Sequence, residues 1–395
     1  MCIRDRHEAE EQADQAAVHL ARLGDEAGVA KARLVRAGAL ARLGQVGQCE
    51  AELDLALTAA RSAGDRRRVA AVLGAAPLAA LWGPSPVPRA GGRCLDVIRL
   101  LRITTGSPAV EATSLRCQAV LEALRGRFDT ARKLLIDSRA TVEELGLRHA
   151  LGETDLFTGI VELLAGDPEA AEVPLRRAYE GLGRLGIGSD AGQAAAHLAR
   201  ALLQQGRIDE AEQLAAESAD LAGENPRTAI AARSAQAEIL AAQGRHDEAV
   251  AMATDAVGRA EGTDIIVDHA AASAVLAAVA GSAGDAATAD RAARAAVELY
   301  EQKAATITVP ALTPAPASAH SRARERPTSI PAEEWNRAAR LTNEMSAHFM
   351  RDDDAFFAYT AEDAVLIDRR PVVRTETRGR DKIREIIGGV DPVSY

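Results

Sequence analysis

The sequence is poor in aromatic residues, which make up 3% of its 395 positions, and it holds only four lysines and three asparagines. Few aromatic and β-branched side chains disfavour a β-sandwich or a barrel. The hydrophobic share of 47%, much of it alanine, favours closely packed helices instead. The net charge of −10 also lacks the basic footprint of a general nucleic-acid binder, so no nucleic-acid partner is expected.

Cysteine is scarce as well, with four residues and no CxxC pair. This excludes a small disulfide-stapled fold and indicates reduced thiols in an intracellular, cytoplasmic protein. The start of the chain has no apolar stretch typical of a signal peptide. The two long uncharged runs are interrupted by prolines or too short to span a bilayer, so no membrane partner is expected either.

Turn glycines recur along most of the chain, at successive spacings of 82, 40, 40, 38 and 40 residues. The first spacing is about twice the others, which predicts a degraded turn near Gly83. The positions seven before, five after and twelve after each glycine all hold small residues. Small side chains let two antiparallel helices pack closely, so each unit is predicted to be a helix, a glycine turn and a second helix. The six glycines are Gly44, Gly126, Gly166, Gly206, Gly244 and Gly284.

One such unit cannot bury its own apolar face, so seven hairpins over about residues 24–303 are expected to stack. The Gly-Arg-x-Asp-Glu-Ala turns at Gly206 and Gly244, with the small-residue columns, resemble the tetratricopeptide repeat. The resemblance implies an all-α, right-handed helical solenoid over residues 7–303. A proline at position 174 is expected to kink the second helix of its unit or to shift the start of that helix.

The runs that begin at Gly126, Val161 and Gly206 further resemble the C-terminal repeats of large bacterial signalling ATPases, which often carry a nucleotide-cyclase domain. This sequence contains neither a GxxxxGKS nor a GxxxxGKT phosphate-binding loop and no cyclase domain. The resemblance therefore implies a regulatory segment of such a parent, and no enzymatic activity of this chain itself.

The periodicity stops at residues 304–331, where several prolines predict a flexible linker. Over residues 332–391 the expected order is helices at 332–350 and 353–360, strands at 364–368 and 372–377, and a helix at 379–387. This order resembles the start of the nuclear-transport-factor-like (SnoaL-like) α+β cone, which implies a truncated domain. Residues 1–6 and 392–395 resemble translated adapter sequence, so we expect them to be artefacts at the ends of a fragment.

The first helices of tetratricopeptide units line an inner groove. Projecting that pattern by offset from the turn glycines places Leu156 and Ile160 there, among five polar candidates for groove binding. The groove is expected to be shallow, largely apolar and sparsely charged. The five candidates are Arg116, Glu153, Gln193, Arg200 and Glu238.

No catalytic, cofactor-binding or metal-ligating residue is predicted. Asp368 is better explained by a strand-end ion pair, and His197, His269 and His348 by packed or solvated histidines. The favoured function is a non-catalytic scaffold for protein–protein or intramolecular regulatory contacts in signalling, with a protein or peptide as partner. Two alternatives stay open: a ligand-binding or enzymatic C-terminal domain carried on a repeat handle, and an ATP-sensing transcription regulator.

Overall fold

The computed structural model describes residues 3–104, 106–307, 365–370 and 373–378, and within them the chain forms fifteen α-helices and one pair of strands. The helices are α1 (Ile3–Arg22), α2 (Glu26–Leu43), α3 (Val46–Ser62), α4 (Arg66–Trp82), α5 (Val87–Thr104), α6 (Pro108–Ala123), α7 (Phe128–Glu144), α8 (Arg148–Leu164), α9 (Pro168–Arg184), α10 (Gly188–Gln204), α11 (Ile208–Ala222), α12 (Pro226–Ala242), α13 (His246–Glu261), α14 (Ile266–Ser282) and α15 (Ala286–Lys303). The strands are β1 (Val365–Arg370) and β2 (Val373–Arg378).

The helices are stacked in chain order. Each helix packs against the next, and the even-numbered helices from α2 to α14 also contact one another in succession. The even-numbered helices therefore form one layer. The array curves towards this layer until α4 contacts α14, so we call it the inner layer. This arrangement confirms the predicted all-helical repeat array. Its right-handedness stays a prediction.

Glycines in the left-handed conformation end most of the helices. The six glycines of the repeat pattern have φ between 73° and 81°, a region that side chains with a Cβ rarely adopt. A second set, from Gly64 to Gly186, follows the odd-numbered helices with φ between 57° and 71°. Gly83 differs, because its backbone is extended, with φ of −77° and ψ of −171°. Helix α4 therefore ends without the left-handed turn.

The small-residue columns mark close approaches of helices. A Cβ placed on Gly159 would lie 2.2 Å from Cγ of Leu175, which belongs to the next helix. Two serines of these columns also bond across the interface: Ser138 Oγ donates to the carbonyl of Ala112 at 2.8 Å, and Ser218 Oγ to that of Gly192 at 2.7 Å. Small side chains are thus required both for space and for contact with the facing backbone.

The array closes on itself through the α13–α14 loop. The carboxylate of Asp264 accepts hydrogen bonds from the backbone N–H groups of Val46 (2.6 Å) and Gly47 (2.7 Å), at the N-terminus of α3. The N–H of Asp264 donates to the carbonyl of Gly44 at 3.0 Å. Gln45 gives α3 no side-chain cap. Asp264 therefore caps α3 from about 220 residues away, where a negative charge suits the helix dipole.

Lys303, at the end of α15, makes the second closing contact. Its ammonium is fully buried and donates to the carbonyls of Gly83 (2.6 Å) and Ala80 (3.2 Å), at the C-terminus of α4. Lys303 thus supplies the cap that the extended Gly83 does not provide. Burial lowers the pKa of Lys303 to about 8, although Glu50, Asp268 and Asp264 act in the opposite direction.

Three expectations from the sequence concern segments that the structure describes. Residues from Ile3 to Arg6 belong to α1, and Arg6 donates to the carbonyl of Glu224 at 2.9 Å. Their origin in adapter sequence stays a prediction. Helix α9 begins at Pro168 and runs through Pro174, so its start is not shifted, and a kink at Pro174 stays a prediction. The stretch Ala304–Ile307, assigned to a flexible linker, includes Ala305 and Ile307, which pack against the main core.

Strands β1 and β2 pair antiparallel, with Val365 opposite Arg378 and Arg370 opposite Val373. They lie within one or two residues of the two predicted strands. The rest of the predicted linker, the three helices of the cone domain and the last four residues lie outside the described residues. The cone domain stays a prediction.

The close approach at Gly159 generates a test. Gly159→Ala should lower the free energy of unfolding by about 1–3 kcal/mol, because the new methyl overlaps Leu175. Gly181→Ala is the matched control: its Cβ meets nothing within 4 Å, and alanine in a helix should stabilise by about 0.5–1 kcal/mol. Urea unfolding measures both, and equal stability of the two variants would contradict the packing.

The closure generates a second test. Gly44→Ala and Gly126→Ala both place alanine at positive φ, a strain of about 1–2 kcal/mol. At Gly44 the methyl would also lie 2.6 Å from Cγ2 of Thr263, whereas at Gly126 it meets nothing within 4 Å. We expect Gly44→Ala to be less stable than Gly126→Ala, and its Val46 and Gly47 amides to exchange faster. Equal unfolding of the two variants would argue against the closure.

Candidate functional site

The candidate site is the face of the inner layer that points into the curve of the array. The five polar candidates lie on α6, α8, α10 and α12, all of which are inner-layer helices. The structure brings four of them together as two pairs and leaves Gln193, which is buried on α10, outside those pairs. Leu156 and Ile160 are buried beside them in the main core.

Ion pairs connect successive inner helices. Arg116 Nη2 donates to Oε2 of Glu153 at 2.6 Å, joining α6 to α8. Arg200 donates twice to Glu238, from Nε at 2.6 Å and from Nη2 at 3.0 Å, joining α10 to α12. Burial opposes the charge of Arg200, but the Glu238 carboxylate outweighs it and raises the pKa of Arg200.

A third pair extends the series and reaches across the curve. Arg227 of α12 donates from Nε to Oδ2 of Asp268 on α14 at 2.7 Å. The guanidinium of Arg227 also stacks on the ring of Trp82, with Cζ 3.5 Å from the ring centroid. Trp82 in turn meets Phe157 edge to face at 5.7 Å. Helices α4, α8, α12 and α14 therefore meet around one aromatic pair.

The inner face is thus more charged than predicted, and the expectation of a sparsely charged groove was wrong. The sequence reasoning also missed Trp82, Phe157, Arg227 and Asp268. Trp82 and Phe157 carried a usable signal, because aromatic residues are rare in this sequence and both lie on inner helices. Arg227 and Asp268 carried none, since each resembles an ordinary charge in the first turn of a helix.

Arg116 is the most enclosed cation of these pairs, with 3% of its surface exposed. Its Cζ lies 5.9 Å from the ring centroid of Phe157. Its Nε and Nη1 groups are buried and have no hydrogen-bond partner among the residues described here. A buried guanidinium with two unpaired N–H groups is a site at which an additional acceptor is stabilised.

His197 lies on α10 beside Arg200 and Arg227. Burial, together with the two guanidinium charges, lowers the pKa of His197 to about 3, so the imidazole is neutral at physiological pH. Its Nδ1 is enclosed and unpartnered in the described part of the chain. Tyr300 of α15 interacts with the charge of Arg200, and burial raises the pKa of Tyr300 to about 12.

Two further sets of chemically active residues lie in the helical array. Ligand atoms of His149, Glu153 and Asp190 lie within 4.8 Å of one another, the one such set within the described ranges. Because Arg116 already occupies one oxygen of Glu153, we interpret this set as a polar network. The described cysteines are Cys49, Cys94 and Cys117; all three are buried free thiols. Burial raises the pKa of Cys49 and of Cys94 to about 12, which makes them unreactive.

The pKa of His197 generates a test of the inner face. The pKa in the folded chain lies below the ordinary value of 6.5, so the unfolded chain binds the proton first as the pH falls. His197 should therefore reduce the free energy of unfolding between pH 6.5 and pH 3, by up to about 1.4 kcal/mol per pH unit. In His197→Gln this contribution should disappear, measured by urea unfolding from pH 8 to pH 4. The difference in free energy of unfolding between the wild type and His197→Gln at pH 8 is the reference. If that difference stays constant from pH 8 to pH 4, the low pKa of His197 is contradicted.

No helix in the described part of the chain is long and apolar enough to cross a membrane.

No family model and no curated protein matches the sequence. Solved structures do match the fold. A Rap protein complexed with Competence and Sporulation Factor is 14% identical, over 71% of this chain and 76% of its own, with a TM-score of 0.58. The apo form of RapI is 11% identical, over 69% of this chain and 98% of its own, with a TM-score of 0.50. The chain is therefore similar to helical repeat proteins of the tetratricopeptide type in its fold.

Proposed function

We propose that this chain is a non-catalytic helical-repeat scaffold whose inner face binds a peptide or an extended segment of a protein partner in a signalling system. The observation that carries the proposal is the row of ion pairs Arg116–Glu153, Arg200–Glu238 and Arg227–Asp268 on successive inner helices, beside Trp82 and Phe157. Guanidinium groups donate to the carbonyl and carboxylate oxygens of a peptide. The likeness in fold to a Rap protein solved with a bound factor supports the same proposal.

The ion pairs make the inner face suitable for exchange of partners. Glu153, Glu238 and Asp268 each neutralise an arginine in the unbound chain, which keeps the buried cations paired. A carboxylate of a partner can replace one of these side chains as the partner of its arginine. Trp82 and Phe157 add an apolar surface beside the charged groups, as is common where peptides bind.

Two finer statements belong to this proposal. The runs beginning at Gly126, Val161 and Gly206 support a place beside an ATPase module in a cytoplasmic signalling protein. The aromatic-rich sequence after residue 331 supports a SnoaL-like C-terminal domain, of which β1 and β2 are the described part. Neither statement changes the role assigned to the inner face.

Peptide selection tests the proposal. Peptides are selected from a random phage-displayed library on the immobilised full chain, and their affinities are measured by fluorescence anisotropy. The double variant Arg200→Gln/Glu238→Gln, which removes one inner pair without leaving a lone charge, should weaken binding at least tenfold. Arg99→Gln is the control, because Arg99 is 74% exposed in its side chain and lies on α5, outside the inner layer. Binding on the inner face would be contradicted if the selected peptides bound both variants as tightly as the wild type. It would also be contradicted if both variants lost the same amount of affinity.

A further inference from the structure

The chain that leaves α15 does not turn away from the array. We call residues Lys303–Ile307 the strap. The N–H groups of Thr306 and Ile307 both donate to the carbonyl of Leu124, at 2.9 and 3.2 Å, directly after the C-terminus of α6. Lys303 is fixed at the end of α4. The strap therefore joins the last repeat to two inner helices that lie about 180 to 220 residues earlier in the chain.

The local backbone directs the strap to this place. Ala304 has φ of 54°, the one positive value for a residue other than glycine in the described part of the chain. A left-handed alanine is unfavourable unless surrounding contacts hold it. Here the N–H of Ala305 donates to the carbonyl of Tyr300 at 2.9 Å, and the following residues are bound to α6. The turn at Ala304 ends α15 and leads the chain on to the core.

The side chains of the strap alternate in a way that suits a bound peptide. Ala305 and Ile307 pack against the main core, whereas the side chain of Thr306 is exposed. Alternate residues facing inward, with the backbone bonded to the protein, are also a pattern of peptides bound to a receptor. Bonds of the strap place it next to the candidate site, because Lys303 donates to the carbonyl of Gly83, the residue after Trp82, while Thr306 and Ile307 donate to that of Leu124.

We infer that the strap is a segment bound in cis at the inner face, and that a partner must displace it. The inference rests on the proposed function and names the class of ligand: a short segment with small or aliphatic residues at alternate positions, and two consecutive backbone N–H groups free to bond the carbonyl of Leu124. The charge of Lys303 belongs to this recognition, because it meets carbonyls at a helix C-terminus. The site is thus regulated by the chain that follows the last repeat.

The displacement has a direct consequence for affinity. A tethered segment competes at an effective concentration in the millimolar range, far above that of a free peptide. If the strap is seated in nine chains out of ten or more, the apparent affinity for a free peptide is reduced at least tenfold. Releasing the strap should therefore increase the affinity for a partner without any new contact.

Thr306→Pro in the full chain is the test variant, because proline has no N–H to donate to Leu124. Thr306→Val is its matched control, since it keeps the N–H and a branched side chain at an exposed position. The first measurement, made on the wild type and both variants, is amide hydrogen exchange at Ile307.

We expect the Ile307 amide to be protected in the wild type and in Thr306→Val, and its protection to fall at least tenfold in Thr306→Pro. Rapid exchange at Ile307 in all three chains would overturn the cis assignment, and so would protection that depends on protein concentration, which would indicate a strap from a second copy.

The second measurement is binding of a fluorescein-labelled peptide of residues 303–310, KAATITVP, to the same three chains. Thr306→Pro should bind this peptide at least fivefold more tightly than the wild type and Thr306→Val. Loss of Ile307 protection without a gain in peptide binding would overturn the stated ligand class. Failure of the proposed function can be told apart from failure of the strap assignment. In that case the phage-selected peptides would bind Arg200→Gln/Glu238→Gln as tightly as the wild type, while the two strap measurements still gave the expected results.

Discussion

The capping of α3 and α4 by residues from the far end of the array is the interaction on which the rest of the structure depends. Asp264 places an anion at the N-terminus of one helix, and Lys303 places a cation at the C-terminus of the next. Each charge has the sign that the helix dipole favours and fills a position that the local sequence leaves uncapped. A repeat array usually contacts only its neighbours along the chain, so these two contacts turn a stack of hairpins into a closed one.

Closure explains the composition of the inner face. Helices α6 and α10 pack against neighbours on both sides of the inner layer and in the outer helices, and they are buried over most of their length. Charged groups in such a place must be paired. Arg116, Arg200 and Arg227 accordingly each have a carboxylate on the next inner helix. The largely alanine composition follows from the same constraint, because a tight curve leaves little room for bulky residues between inner helices.

The sequence was sufficient to predict the repeat and not the closure. Gly44, Gly126 and the other turn glycines are local features, and the columns of small residues report contacts between adjacent helices, so both can be read without the tertiary structure. Asp264 and Lys303 resemble ordinary charges of a loop and of a helix end, and their role depends on residues about 220 positions away. The missing left-handed glycine at Gly83 was visible as a degraded turn, but the residue that replaces its cap was not. Offset from the turn glycine fixes the helix face, so the five site candidates could be projected onto inner helices from the sequence. Their pairing across helices, and the stacking of Arg227 on Trp82, required the tertiary structure.

The same contacts link stability to access. Lys303 holds α4 through its side chain, and the next four residues extend from it to the end of α6, so closure and occupation of the inner face share one short segment. A partner that displaces Ala305–Ile307 does not remove Asp264 from α3, and the array can therefore keep half of its closure while the face is exchanged. Arranging the two caps at separate points, one in the α13–α14 loop and one after α15, allows binding to loosen one contact without unfolding the repeats. The buried lysine suits the releasable position, because burial already disfavours its charged form, whereas the Asp264 carboxylate has both oxygens bonded by backbone N–H groups.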